Sequence, residues 1–198
     1  MIIVAPDEAG IRQAADAIAS GELVVFPTDT VHGLACRAAD AAALDRLFEV
    51  KGRPPDRRVA TLVASAAQLP DLAISLSDVA QTLANAFWPG GLTLILPTAD
   101  GGTLGVRAPA HPTATALLAL TGPLPTTSAN PHGSPECLTT DDILIAFAGS
   151  DEIGVIIRGE SPGGTASTVL DLTGDRPRLL RRGAISGDEL SAVVGPID

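Results

Sequence analysis

The sequence predicts an α/β fold in which one twisted mixed sheet, flanked by helices, forms a single domain over residues 1–198. Short apolar segments alternate with amphipathic helical segments, and most of the predicted strands are apolar throughout. Strands of that kind are covered on both faces of a sheet. The alternation is too irregular for a repeated βαβ unit, so we expect parallel and antiparallel pairs together. No repeat or linker divides the chain, and the residues after about 183 are expected to form a peripheral tail.

Nine segments carry a strand pattern, being short, rich in apolar or β-branched residues and bounded by Gly, Pro, Asp or Ser. Six are clear, at residues 2–5, 23–27, 59–64, 92–96, 155–157 and 168–172. Three are weaker, at residues 104–107, 124–127 and 178–181.

Six segments carry a helical pattern, and their starts coincide with residues that cap helix N-termini. The first runs from Asp7 to Gly21, the second follows Asp40, and the third follows Ser77 as far as Trp88-Pro89-Gly90. The fourth covers 113–120, the fifth opens at Thr140 or Asp141, and a short last one covers 188–194.

Composition excludes several classes of protein. A formal net charge of −10 repels phosphate backbones, which argues against general coating of nucleic acid but leaves a local basic pocket open. Cys36 and Cys137 form no CxxC pair, so neither a zinc site nor a disulfide framework is indicated, and packed thiols are the default. No signal peptide or membrane-length apolar run is present, so we expect a soluble cytoplasmic protein.

Lys51 is the only lysine beside twelve arginines. It stands seven residues after Leu44 on the helical stripe that includes Leu47 and Phe48, so its ammonium is predicted to point into a cleft. With Arg53 two residues later, it suggests a polyanion site such as a triphosphate. A favourable cation at a helix C-terminus, or a lysine at the rim of the core, explains the same pattern.

Polar residues at strand ends are further candidates for a ligand-binding site. Thr28 and Thr30 follow a buried strand, and Ser128 and Asn130 would project to the same side if their strand continued that far. Turns whose side chains bond their own backbone account equally well for both motifs.

Two more segments carry charged residues at the ends of predicted strands. Arg107 leaves a strand shortly before His111, which precedes a helix. His111 would bind substrate or act in proton transfer, or it would only cap the helix or pack against its neighbours. Ser167 starts a late strand, and Arg181 ends another. Ligands of α/β proteins usually bind at the ends of strands and helices, which makes these residues candidates for a binding site.

Seven motifs in order resemble the YrdC-like family of threonylcarbamoyl-AMP synthases, in its short, TsaC-type form, over nearly the whole chain. Lys51, Arg53, Ser128 and Asn130 match the family's KxR and SxN hallmark. The motifs are Pro27-Thr28-Asp29-Thr30-Val31-His32-Gly33-Leu34, Lys51-Gly52-Arg53-Pro54, Trp88-Pro89-Gly90-Gly91-Leu92-Thr93, Val106-Arg107-Ala108-Pro109, Thr127-Ser128-Ala129-Asn130, Ser167-Thr168-Val169 and Leu180-Arg181-Arg182-Gly183-Ala184-Ile185.

The resemblance implies a central cationic cavity and a reaction that joins L-threonine, bicarbonate and ATP into L-threonylcarbamoyladenylate and pyrophosphate, for a tRNA modification. It implies catalytic roles for Lys51 and Arg53, with Mg2+ held mainly by the ATP phosphates rather than by a metal site of the protein. Implied ATP-binding residues are Lys51, Arg53, Arg57, Arg107, Asn130 and Arg181. Implied threonine-binding residues are Thr30, His111, Ser128 and Ser167.

This chain departs from the family pattern at three positions. His32 stands where the family often has tyrosine, Leu62 stands where longer members have a threonine-contacting histidine, and Arg182 replaces a proline. Two other functions stay open on the sequence: a YrdC-like module that binds RNA, and a paralogue that adenylates another carbamoyl substrate. Partners would include tRNA and the downstream threonylcarbamoyl-transferase proteins. We expect no association with a membrane.

Overall fold

The computed structural model describes residues 1–52, 59–163 and 165–198, so the predictions for Arg53 and Arg57 lie outside the described residues. The strands are Ile2–Val4 (β1), Leu23–Phe26 (β2), Gly33–Ala35 (β3), Ala60–Leu62 (β4), Leu92–Pro97 (β5), Thr103–Arg107 (β6), Leu124–Ser128 (β7), Ile153–Ile157 (β8), Thr168–Asp171 (β9) and Arg178–Arg181 (β10). The α-helices are Glu8–Ala19 (α1), Ala41–Lys51 (α2), Asp78–Phe87 (α3), Pro112–Thr121 (α4), Thr140–Ala146 (α5) and Gly187–Val194 (α6), and a 3-10 helix covers Ala66–Leu72.

The described strands form one mixed sheet in the order β1-β8-β2-β3-β7-β4-β6-β5-β9-β10. Parallel pairs join β8 to β1 and β2, β4 to β6, and β5 to β9. Antiparallel pairs make the remaining connections. The prediction of a mixed α/β sheet flanked by helices is therefore confirmed.

Side-chain caps fix the helix starts where the sequence predicts them. The carboxylate of Asp7 accepts from the N–H of Gly10 at 2.9 Å, and that of Asp40 accepts from Ala43 at 2.9 Å. The C-terminal end of α2, and with it the position of Lys51, is set by Gly52, which adopts the left-handed conformation at φ 59°.

Apolar clusters lie on both faces of the sheet because successive strand residues point in opposite directions. Phe26 packs with α1 and α4, whereas its neighbour Val25 packs with α2 and α5. A third cluster places α3, α6 and the 3-10 helix against Leu94 and Val106 of β5 and β6. The other face of these two strands is thereby left for the cavity described below.

The residues after 183, expected to be a peripheral tail, fold back onto the domain. Leu190 of α6 is fully buried in the third cluster, and α6 packs against α3. The terminal residue Asp198 exchanges backbone hydrogen bonds with Pro177 and Leu179, at 2.9 and 2.7 Å. The tail is thus anchored to the edge strand β10.

Candidate functional site

A cavity of about 350 Å³ opens on one face of the neighbouring strands β7, β4, β6, β5 and β9, beside the loop between β2 and β3. This volume lies within the range of about 300–1,000 Å³ typical of small-molecule sites. Alternate residues of β4, β5 and β6 line it, as the period of two requires. These include Ala60 and Leu62, Thr93 and Ile95, and Gly105 and Arg107. Of the predicted site residues that the structure describes, five line the cavity: Thr30, Arg107, Ser128, Ser167 and Arg181.

Gly105 keeps part of the cavity floor open. A Cβ atom built on it would lie 3.6 Å from Cγ2 of Thr93 and 3.9 Å from Cβ of Ala60, which is ordinary contact. A methyl group would therefore fit, whereas a longer side chain would extend from the floor into the space above these neighbours.

Arg107 is held rigidly at the end of β6. Its Nε donates to the carbonyl oxygen of Gly90 at 2.9 Å, its Nη1 donates to Oγ1 of Thr30 at 2.9 Å, and its Nη2 pairs with the carboxylate of Asp29. Burial lowers the pKa of Arg107, and the Asp29 carboxylate opposes that shift. The group stays a cation because arginine is not deprotonated in proteins. The site thus holds a pre-oriented guanidinium.

Thr30 presents a hydrogen-bond acceptor to the cavity. Thr28 uses its single hydroxyl proton on the carbonyl oxygen of Val31, at 2.7 Å. At the 3.1 Å contact between the two threonine hydroxyls, Thr30 must therefore donate to Thr28. One lone pair of Thr30 accepts from Arg107, and the other remains for a donor group of a ligand.

Ser167 is bound on two sides. Arg181 donates from Nη2 to Oγ of Ser167 at 2.9 Å and from Nε to its carbonyl oxygen at 3.0 Å. Oγ of Ser167 also lies 2.8 Å from Oγ1 of Thr93. Arg181 is exposed at the cavity mouth, whereas Ser167 and Thr93 are buried.

Lys51 is buried, and its ammonium donates hydrogen bonds to the backbone of the segment that carries Ser128 and Asn130. Nζ donates to the carbonyl oxygens of Ser128 and Asn130 at 2.5 and 2.7 Å, and lies 3.4 Å from the side-chain oxygen of each. β7 ends at Ser128, and the chain then turns, so the two side chains do not share one strand face as the extended-strand hypothesis required. The contact of Lys51 with phosphate stays a prediction.

Asn130 and His111 both make local bonds. Nδ2 of Asn130 donates to the carbonyl oxygen of Ser134 at 2.7 Å. Nδ1 of His111 accepts from the N–H of Thr113 at 3.2 Å and so caps α4. Burial lowers the pKa of His111. Their assignments to ATP and threonine stay predictions.

His32 belongs to the cavity wall, yet its side chain is fully buried. Nδ1 lies 3.2 Å from Oγ of Ser161, which in turn accepts from the N–H of Thr28 at 3.1 Å. Among the described residues, Nε2 of His32 has no hydrogen-bond partner. Burial lowers the pKa of His32, so the ring is neutral near pH 7.

The charge of the cavity is set by few groups. Of the lining residues that the structure describes, Arg107 and Arg181 carry positive charge and Glu136 carries negative charge. Glu136 lies close enough to Arg181 to oppose the lowering of the Arg181 pKa that burial causes. A strongly cationic cavity therefore depends on Arg53 and Arg57, and it stays a prediction.

A protein-held metal finds no support in the described part of the chain, where no three His, Cys, Asp or Glu side chains group to hold an ion. Within the same residues, no helix combines the length and apolar character that crossing a bilayer requires.

Comparison with known proteins identifies the fold family. The family model described as telomere recombination, which is named for Sua5, YciO and YrdC, matches residues 16–183. This chain belongs to the Sua5/YciO/YrdC family. The chain is 42% identical to a threonylcarbamoyl-AMP synthase of Pyrococcus abyssi, over 96% of its own length and 59% of that protein. It is 38% identical to a putative threonylcarbamoyl-AMP synthase of Mycobacterium tuberculosis, over 94% of its own length and 89% of that protein.

A solved structure of the same family holds a ligand. The crystal structure of Pyrococcus abyssi Sua5 complexed with L-threonine superposes with a TM-score of 0.92 at 40% identity, over 100% of this chain and 63% of that one. This chain thus spans about three fifths of the length of the archaeal Sua5 protein.

The structure adds four residues to the site that the sequence did not assign: Asp29, Thr93, Glu136 and His32. Asp29 and His32 lie inside the motif around Thr30, and Thr93 ends the motif that begins at Trp88, so the family resemblance held a signal for these three. Glu136 lies outside the quoted motifs, and nothing in the sequence indicated that its segment reaches the cavity mouth.

Proposed function

We propose that this protein is an adenylating enzyme that forms L-threonylcarbamoyladenylate and pyrophosphate from L-threonine, bicarbonate and ATP. The observation that carries the proposal is one cavity in which oriented hydroxyls and two guanidiniums meet, in a chain whose relatives are named threonylcarbamoyl-AMP synthases. The complex of Pyrococcus abyssi Sua5 with L-threonine supports the amino acid as one substrate.

The chemistry requires two bond-forming steps. The neutral amine of threonine joins the carbon of bicarbonate, with loss of water, to form a carbamate. A carbamate oxygen then attacks the α-phosphorus of ATP, and the bond to the leaving pyrophosphate breaks. Negative charge grows on the phosphoryl oxygens and on pyrophosphate, and fixed cations stabilise it.

The described residues suit these demands in different ways. We assign Thr30, with its free acceptor, to the ammonium or hydroxyl group of threonine, and Ser167 and Ser128 to its other polar groups. We assign Arg107 and Arg181 to the nucleotide, together with Arg53, Arg57 and Asn130. Lys51 holds the segment of Ser128 and Asn130 in place, so its catalytic contribution includes positioning them.

Mg2+ in this proposal arrives on the ATP phosphates and is not held by a cage of protein side chains. The product would feed modification of tRNA by downstream threonylcarbamoyl-transferase proteins in the cytoplasm. Direct contact with tRNA would have to be local, because the net charge of −10 opposes general binding to nucleic acid.

Pyrophosphate release tests the proposal. We expect release only when ATP, bicarbonate and L-threonine are all present. Release that persists without threonine would overturn it, and so would release supported by carbamoyl phosphate in place of threonine and bicarbonate. A salt-dependent gel shift with RNA, in a protein without nucleotide turnover, would instead support the RNA-binding alternative.

A further inference from the structure

We propose that Thr93 is a positioning residue that orders the hydroxyl of Ser167, so that this hydroxyl donates its proton to an anionic oxygen of the substrate. The proposal rests on the proposed function, because it assigns a role within the same cavity. Thr93 lies on β5 and Ser167 immediately precedes β9, and these strands pair in parallel with Thr93 opposite Val169. Oγ1 of Thr93 and Oγ of Ser167 are 2.8 Å apart.

A count of protons and lone pairs limits what Ser167 can do. A hydroxyl carries one proton and two acceptor lone pairs. Arg181 only donates, so it occupies one lone pair of Ser167, at 2.9 Å. When Thr93 donates into the other, both lone pairs of Ser167 are filled, and its proton is left for a ligand. Both hydroxyls line the cavity, and the exposed fractions of Thr93 and Ser167 are 5% and 6%.

The direction of the hydrogen bonds that link Thr93, Ser167 and the ligand follows from the charge of the ligand. The cation of Arg181 draws electron density from the Ser167 oxygen and makes its O–H the stronger donor of the two. An anionic oxygen in the cavity therefore takes the Ser167 proton, and the bonds polarise one another in the order Thr93 to Ser167 to ligand. The carboxylate of an amino acid is the anion that matches this donor, in a cavity that Thr30 and its acceptor also line.

The role of Thr93 is therefore indirect. Replacing it by valine keeps the branched shape and removes the proton, which leaves a lone pair of Ser167 unfilled and its hydroxyl free to rotate. Losing one neutral hydrogen bond of this kind corresponds to about a fivefold weaker affinity. Thr93→Ser retains the hydroxyl and serves as the matched control.

The test is a double-substitution cycle with wild type, Thr93→Val, Ser167→Ala and the combined variant. Threonine affinity is measured by calorimetry, and KM for threonine and for ATP by pyrophosphate release. We expect Thr93→Val to raise Kd and KM for L-threonine about fivefold with KM for ATP unchanged, Thr93→Ser to restore both, and Thr93→Val to add nothing once Ser167 is alanine.

Two results would overturn the positioning role. One is a Thr93→Val protein that binds threonine as wild type does. The other is a combined variant whose loss of threonine affinity equals the product of the losses in the two single variants, which would mean that Thr93 acts independently of Ser167. Failure of the proposed function has a different signature, since wild type itself would then release no pyrophosphate in response to threonine.

Discussion

The ammonium of Lys51 lies 2.5 Å from the carbonyl oxygen of Ser128, at the end of the strand that forms one wall of the cavity. A second carbonyl, that of Asn130, lies 2.7 Å from the same nitrogen. Gly52 ends α2 directly after Lys51, so the helix terminus and the cavity wall are joined through one buried side chain. This lysine therefore holds the architecture of the site, whatever it contributes to the phosphates.

Lys51→Met should lower both stability and turnover. The substitution keeps an apolar stem and removes the ammonium that donates to the carbonyls of Ser128 and Asn130. The Ser128 carbonyl still accepts from the N–H of Asn130 at 3.1 Å, whereas the Asn130 carbonyl loses the lysine donor, which costs about 1–3 kcal/mol. For a domain of this size that corresponds to a fall in Tm of several degrees. Calorimetry and pyrophosphate release measure the two effects. The control is Arg12→Met, which removes a cation from the exposed side of α1. A Lys51→Met protein with unchanged Tm would contradict the anchoring role.

Gly105→Leu should abolish ligand binding while the protein stays folded. The leucine side chain would rise from the cavity floor between Thr93 and Ala60 and occupy space that the substrates need. Gly105→Ala is the control, because its methyl group meets only ordinary contacts and should retain activity. Calorimetric titration with L-threonine and ATP, together with a melting curve, distinguishes blockage from unfolding. Wild-type affinity in Gly105→Leu would place the ligands elsewhere.

His32 should make the protein less stable as the pH falls. Burial lowers the pKa of folded His32 below its usual 6.5, so between pH 6.5 and that lower value the unfolded chain binds a proton that the folded one does not. Stability then decreases with falling pH by at most about 1.4 kcal/mol per unit from this one group. His32→Gln should reduce the slope of unfolding free energy between pH 7 and 5.5, measured by urea titration.

A second histidine contributes to the same slope. Since His111 also has a pKa lowered by burial, part of the slope should remain in His32→Gln and disappear only in the double variant. A slope unchanged by His32→Gln would show that the buried ring does not titrate in this range.

The sequence predicted most elements of the fold because their signals are local. The caps at Asp7 and Asp40 lie where a short side chain meets free backbone N–H groups, and both are confirmed. β3 was missed, since a strand of three residues is too short to show an alternating pattern. The packing of α6 was also missed, because the burial of Leu190 depends on α3, far away in the sequence.

The site was predictable to the extent that its residues lie in ordered motifs. Thr30, Arg107, Ser128, Ser167 and Arg181 line one cavity although their separations in sequence are large. What the sequence could not supply is which side chains of the site contact one another. The bonds of Lys51 to two carbonyls depend on how α2 packs against the end of β7, and the contact of Thr93 with Ser167 depends on the pairing of β5 with β9. Both are set only in the folded protein.

Glu136→Gln should tighten ATP binding, because Glu136 is the carboxylate among the described lining residues and faces Arg181 across the cavity mouth. Removing a negative charge from the approach of a polyanion should lower the Kd for ATP by about two- to fivefold, consistent with the small energies of exposed charge pairs. The gain should shrink as salt is raised, since exposed charges are screened. Glu8→Gln on the distant helix α1 changes the net charge equally and should leave the Kd unchanged. Titrations of ATP at low and high ionic strength measure both variants. Weaker ATP binding in Glu136→Gln would mean that this carboxylate helps to hold the nucleotide rather than repel it.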